Sequence, residues 1–275
     1  MKLSINRAPA GAGSVPRRLV RTLRVVWHIL RGLLILRIAF PRMPAAARRA
    51  AVRRWSRRLL RILGARVRLE GPPLQAGGAV LILNHTSWLD VYAVLATRYV
   101  RFVAKSEIRS WPLIGLLAAG AGTLFMERGR GRHAHRTNDS IAAALRGGQT
   151  VAVFPEGTTS DGDVLLPFHA ALFQPAVDAG AAVQPLALRY LDGAGVPTRC
   201  AAYVGEISLV ASLWRIVGQR GLIIEIHVME PIAAGGGDRR ELARRCEEAI
   251  AGALGVEVPK RRAPRTPHGP PAAAP

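Results

Sequence analysis

Ala79-Val80-Leu81-Ile82-Leu83-Asn84-His85-Thr86-Ser87-Trp88-Leu89-Asp90 passes from a continuous apolar run straight into a polar cluster. The pattern recurs where Thr150-Val151-Ala152-Val153-Phe154 leads into Pro155-Glu156-Gly157-Thr158-Thr159-Ser160-Asp161-Gly162. Short unbroken apolar runs rich in aliphatic residues read as strands covered on both faces, the habit of parallel sheets. Polar residues at the end of such a strand stand where open α/β sheets place their sites. Working outward, the pattern predicts strands near 67–71, 79–83, 100–104, 122–126, 150–154, 182–189, 200–206 and 222–228. Helices are predicted near 88–97, 111–119, 134–146, 168–179 and 238–253. This alternation gives an α/β domain with a mainly parallel or mixed sheet flanked by helices.

The chain has 275 residues and a formal net charge of +21, placed unevenly. Residues 1–69 hold 17 Arg and Lys2 without one Asp or Glu, while the rest of the chain is close to balanced at +3. An excess confined to one end reads as a surface-binding arm on an ordinary domain. Within the arm, Val25–Phe40 is apolar but short for a bilayer span and carries Arg31 and Arg37, which suits an interfacial or half-inserted helix. After Pro41 and Pro44, residues 45–63 place Val52, Trp55, Leu59, Ile62 and Leu63 on one helical face, with Arg53, Arg54, Arg57, Arg58 and Arg61 opposite. That stripe is the pattern of a helix lying in a membrane interface; the alternative is a face packed on the protein's own core, and both can hold along one helix. The arm lacks interleaved aromatic platforms and is more apolar than phosphate binding needs, so nucleic acid is not the expected partner.

Four segments follow: a disordered N-terminus over 1–16, basic amphipathic membrane-binding helices over 17–63, a domain over 66–256 and a Pro- and Ala-rich disordered tail over 259–275. The only cysteines, Cys200 and Cys246, lack metal-type spacing, so neither a zinc site nor a disulfide framework is expected.

His85 and Asp90 cannot share one face of a continuous helix, because five residues turn it to about 140° off register. If His85 lies in the loop and Thr86 or Ser87 caps the next helix, Asp90 falls in its first turn and folds back onto the imidazole. An aspartate on one ring nitrogen fixes the tautomer and leaves the other nitrogen to accept a proton. The bland alternative is a satisfied loop histidine with Asp90 serving the helix dipole. Glu156, Gly157, Thr158, Thr159 and Ser160 could offer backbone and hydroxyl donors to an anionic or polyhydroxylic ligand, or simply form a tight turn. No Gly-x-Ser-x-Gly elbow is present to support a hydrolase.

Taken together, NHTSWLD at 84–90 and FPEGTTS at 154–160 resemble the first and third sequence blocks of the 1-acylglycerol-3-phosphate (lysophospholipid/glycerophosphate) acyltransferase family. Residues 122–128, GTLFMER, resemble its second block, and VQPLA at 183–187 its fourth. The likeness covers about residues 66–230, and the basic helices resemble the family's membrane-embedded two-helix motif.

The resemblance implies that His85 is the general base on an acceptor hydroxyl and Asp90 its orienting partner. The acyl donor would be acyl-CoA or acyl carrier protein. Glu156 and Gly157 would bind the acceptor's glycerol-phosphate end, with Lys105 and Arg128 near its charge. Lys105 also stands out as the only lysine between Lys2 and Lys260 in a chain whose other basic residues are Arg. Lysophosphatidate-specific members usually read FPEGTRS, and Thr159 stands at that arginine's position. The form here is closer to members that acylate lyso-ornithine lipid or other lysolipids. The implied protein is a peripheral or monotopic acyltransferase of phospholipid biosynthesis on the cytosolic face of an anionic membrane. It would need no metal or redox cofactor, with lysophosphatidate as first acceptor and lyso-ornithine lipid as alternative. A catalytically silent membrane-binding protein of the same fold is the remaining alternative.

Overall fold

The computed structural model describes residues 14–126, 132–234 and 236–258. In chain order these form α1 (Val15–Ile38), α2 (Ala45–Leu63), β1 (Ala65–Glu70), β2 (Ala79–Leu83), α3 (Leu89–Thr97), β3 (Arg101–Lys105), α4 (Ile114–Gly120), β4 (Leu124–Met126), α5 (Arg132–Arg146), β5 (Val151–Val153), α6 (Gln174–Ala179), β6 (Ala182–Leu191), α7 (Leu209–Val217), β7 (Leu222–Val228) and α8 (Arg239–Leu254). Val15 and Pro16, expected in the disordered N-terminus, already belong to α1. The rest of that segment, from 1 to 13, the tail over 259–275 and Arg128 lie outside the described residues.

The seven strands form one mixed sheet in the order β1-β7-β6-β2-β5-β3-β4. β6, β2, β5, β3 and β4 run parallel, whereas β7 is antiparallel to β6 and β1 follows β7. β2 lies in the middle of this sheet and is buried from end to end. Leu81 and Leu83 enter the core shared with α2, α3 and α7, while Val80 and Ile82 enter the core shared with α5 and α8. Alternate residues of one apolar run therefore fill two layers, which is why the run shows no polar alternation.

The α2 stripe packs inward. Leu59 and Leu63 are buried, and Val52, Trp55 and Ile62 pack against the same core, leaving arginines on the outer side. The core thus takes the stripe that also suited a membrane. α1 buries Val25 in the same core but turns many of its apolar residues the other way, with Leu23 69% and Trp27 68% exposed. α1 and α2 approach closely at Gly32, where a Cβ would stand 2.5 Å from the Trp55 indole nitrogen. Among the described residues no helix is long and apolar enough to cross a membrane.

Three expectations need correction. Residues 200–206 form turn and coil rather than a strand, and Tyr203 N–H donates to Thr86 O at 2.9 Å. One backbone bond of that segment goes to the His85 loop, Ala202 N–H turns back to Arg199 O, and Gly205 in the left-handed region further breaks strand geometry. α7 was not anticipated, although Ser208 caps it by accepting from Ala211 N–H at 3.2 Å. The helix expected over 168–179 divides into a 3-10 turn, Ala170–Phe173, and α6, with Pro175 at the start of the latter.

Candidate active site

β2 and β5 are parallel neighbours, so the loops leaving their C-terminal ends lie side by side. Asn84, directly after β2, is buried and its amide replaces a ladder pair: Oδ1 accepts from Leu188 N–H at 2.7 Å and Nδ2 donates to Leu188 O at 2.9 Å. This ties the start of the loop to β6 and fixes the position of the next residue.

His85 Nδ1 lies 2.8 Å from Asp90 Oδ2, with Asp90 in the first turn of α3. The same oxygen accepts the Thr86 and Ser87 backbone N–H groups at 2.8 and 2.9 Å. Oδ1 accepts the Tyr190 hydroxyl. A fully buried carboxylate is thus met by four donors, as its desolvation demands. Because Nδ1 faces the carboxylate it carries the proton, and Nε2 is left as the basic nitrogen of the neutral ring. The imidazole side chain keeps 20% of its surface exposed. Its plane stacks on Phe154 at 3.8 Å between centroids, and Phe154 stacks in turn on Phe102. Burial and the Asp90 charge push the Tyr190 phenol well above its ordinary pKa, so it remains a donor.

Glu156 reaches the same loop by its main chain. One carboxylate oxygen accepts His85 N–H and the other accepts Leu166 N–H at 3.0 Å. Burial raises its pKa to about 7, against the two N–H bonds, which lower it. Both oxygens are thereby engaged in holding backbone. Gly157 follows with φ +68, and a Cβ there would meet the His169 ring at 3.2 Å. Thr158 is exposed, whereas the Thr159 hydroxyl donates to Tyr203 O. Ser160 N–H donates to His85 O at 2.8 Å. Loops after β2, β5 and β6 are consequently knitted together around His85.

Lys105 is half-buried at the end of β3, on the same edge of the sheet as His85 and Glu156. An apolar cavity of about 110 Å³ lies beneath α1 and α2, with Trp55, Tyr92, Leu95, Phe102 and Leu117 in its wall. Phe102 belongs both to this wall and to the aromatic stack that ends on His85. Among the described residues, Glu70, Glu225 and His227 are spaced to hold a metal ion. Arg68 and Arg189 already pair with Glu225, which offsets the charge a cation would need.

The Acyltransferase family model matches residues 66–189. The lyso-ornithine lipid O-acyltransferase of Pseudomonas aeruginosa is 40% identical over 219 residues, covering 78% of this chain and 83% of that one. The chain belongs to the acyltransferase family. A 1-acyl-sn-glycerol-3-phosphate acyltransferase of Neisseria gonorrhoeae is 42% identical over 179 residues, covering 65% of this chain and 70% of its own. The crystal structure of the 1-acyl-sn-glycerophosphate (LPA) acyltransferase PlsC from Thermotoga maritima superposes with a TM-score of 0.60 at 20% identity, covering 86% of this chain and 96% of the other. At that identity it shows the shared α/β fold alone. The protein is therefore an acyltransferase enzyme with the mixed, helix-flanked sheet that the sequence pattern gives.

Sequence reasoning missed Tyr190 and the Tyr203 carbonyl. Tyr190 lies 100 residues from Asp90, near the end of a mostly apolar strand, where its aromatic ring reads simply as core. The local signal for its role is a hydroxyl in a fully buried position.

Proposed function

We propose that this acyltransferase moves a fatty acyl group from an acyl thioester, acyl-CoA or acyl carrier protein, to the free hydroxyl of a lysolipid. The observation that carries the reading is His85, held through Nδ1 by a four-times-bonded Asp90, with part of its ring open to solvent. Nε2 takes the proton of the acceptor hydroxyl as that oxygen attacks the thioester carbonyl. Collapse of the tetrahedral adduct breaks the C–S bond, and the imidazolium returns the proton to the departing sulfur. An ester and a free thiol result, with no covalent enzyme intermediate and no metal or redox step. Asp90 stabilises the imidazolium and keeps the ring in place. The apolar cavity, whose wall includes the Phe102 ring that stacks on Phe154, suits a stretch of acyl chain.

The acceptor proposed first is 1-acyl-sn-glycerol-3-phosphate, giving phosphatidate, with Lys105 and Arg128 supplying cations and the Gly157-Thr158 turn supplying donors. One observation favours a second reading, lyso-ornithine lipid. Thr159 carries no charge and spends its hydroxyl proton on Tyr203 O, so nothing at that position fixes a terminal phosphate.

The reaction would take place against an anionic membrane. α1 presents Leu19, Leu23, Trp27, Leu30 and Leu34 outward, and arginines alternate with them along the helix. This composition suits a helix lying in an interface. Replacing Leu23 and Trp27 together with Glu should weaken sedimentation with phosphatidylglycerol vesicles on the order of 100-fold, from the apolar surface lost to the bilayer. Unchanged sedimentation would remove α1 as the anchor.

Transfer from a labelled acyl thioester to a panel of lysolipids, with His85→Ala as blank, tests the function. Transfer above the blank is expected; none on any lysolipid would leave the silent membrane-binding protein. The panel also ranks the two acceptors, and Thr159→Arg should shift the ranking toward lysophosphatidate.

A further inference from the structure

Asp90 Oδ2 is held by three N–H donors, so its position is fixed by the loop that also carries His85. Oδ1 depends on Tyr190, which arrives from β6, the strand paired directly with β2. A buried phenol needs an acceptor, and a backbone carbonyl would have sufficed for packing alone. Here the acceptor is the carboxylate that faces the reactive imidazole. Ser87 stands close to the phenol, and its side-chain oxygen accepts Leu89 N–H at 3.3 Å. Two donors from distant parts of the chain, the Tyr190 hydroxyl from β6 and His85 Nδ1–H from the loop before α3, therefore converge on the two oxygens of Asp90. Each of these bonds polarises the buried carboxylate they share.

We propose that Tyr190 is a positioning residue for acyl transfer, holding Asp90 Oδ1 so that Oδ2 stays aimed at His85 Nδ1 and moderating the negative charge that the imidazole meets. The proposal rests on His85 being the general base. It gives Tyr190 a signed effect. Removing the donor leaves more charge on Asp90, favours the imidazolium and makes His85 a base that is protonated at higher pH. A stronger donor does the reverse. Glu156 bonds His85 N–H and lies within the field of Asp90, and Cys200 faces Tyr190 with Arg215 and Asp192 behind it. Of these, Glu156 titrates near 7, so the imidazole must be read separately.

Two replacements decide the matter: Tyr190→Phe, and 3-fluorotyrosine introduced at 190, which keeps the shape and strengthens the donor. The His85 ring is followed by NMR titration, its signal assigned by its loss in His85→Gln, alongside pH profiles of kcat/KM. Tyr190→Phe should lower kcat about ten-fold with KM unchanged, the rate equivalent of one hydrogen bond to a charged group. It should also move the His85 midpoint and the acid limb up in pH, and 3-fluorotyrosine should move both down. Midpoints that stay put in both proteins, or move the same way, overturn the proposal and leave Tyr190 as packing. Should Tyr190→Phe fail to fold, the fluorinated protein decides by the sign of its shift. Full activity in His85→Ala would instead refute the general base, while the NMR midpoints would still report whether Tyr190 tunes the imidazole.

Discussion

Asp90 and Glu156 are two buried carboxylates beside the same histidine, and they hold it from opposite sides. Asp90 takes the imidazole and is met by four donors, two of them backbone N–H groups from its own helix start. Glu156 takes the main-chain N–H of His85, has one other donor, Leu166 N–H, and burial pushes it to about 7. One carboxylate faces the chemistry and is saturated with donors; the other fastens backbone and is short of them. An acidic residue in a motif can thus be a clasp, which the composition of the motif does not distinguish from a ligand.

The sharpest break of this comparison is Asp90→Asn. An asparagine can place its oxygen toward Thr86, Ser87 and His85 and turn its amide toward Tyr190, whose hydroxyl can rotate to accept. The geometry survives and the charge opposite the imidazolium does not. Turnover should fall on the order of 10⁴-fold, the size of the loss when the aspartate of a Ser-His-Asp triad becomes asparagine, with vesicle binding unchanged. Activity within a few-fold of the parent would show that the charge of Asp90 has no part in the transfer.

Glu156→Gln should do less to the chemistry and more to the fold. A glutamine amide must point its NH₂ at either His85 N–H or Leu166 N–H, leaving a buried donor facing a donor. The expected loss of stability is about 1–3 kcal/mol, read from chemical denaturation, with activity reduced about ten-fold through displacement of the His85 loop. A loss of activity as large as that of Asp90→Asn, with stability intact, would move Glu156 from the clasp to the chemistry.

Legibility followed sequence distance. The His85–Asp90 pair spans five residues, and the strand-to-helix context was enough to place both partners. The Tyr190–Asp90 and Thr159–Tyr203 bonds span 100 and 44 residues, and no local pattern announces which hydroxyl meets which acceptor. β2 and β5 were readable because both faces of each are buried. Residues 200–206 resemble a strand in composition, but their backbone turns back on itself and gives one bond to the His85 loop. In α2 the angular arithmetic found the apolar face correctly and left open what covers it. The covering surface is α3 and the sheet, a fact of tertiary packing that periodicity does not carry.

The smallest effect separates the two carboxylates by pH. Glu156 titrates near 7 in the folded chain, against an ordinary value of 4.5 that the unfolded chain would show. Between those values the folded protein holds a proton that the unfolded one has released, so the contribution of Glu156 to stability is full below 4.5 and is lost as pH rises through 7. Other groups add their own slopes, and the informative quantity is the difference between the parent and Glu156→Gln across that window. The parent's unfolding free energy should fall more steeply with rising pH, by at most the slope of one proton, about 1.4 kcal/mol per pH unit. Asp90→Asn serves as the contrast. If it removes the same slope while Glu156→Gln leaves it, the proton belongs to the carboxylate facing the imidazole, and the division between clasp and chemistry has been drawn through the wrong residue.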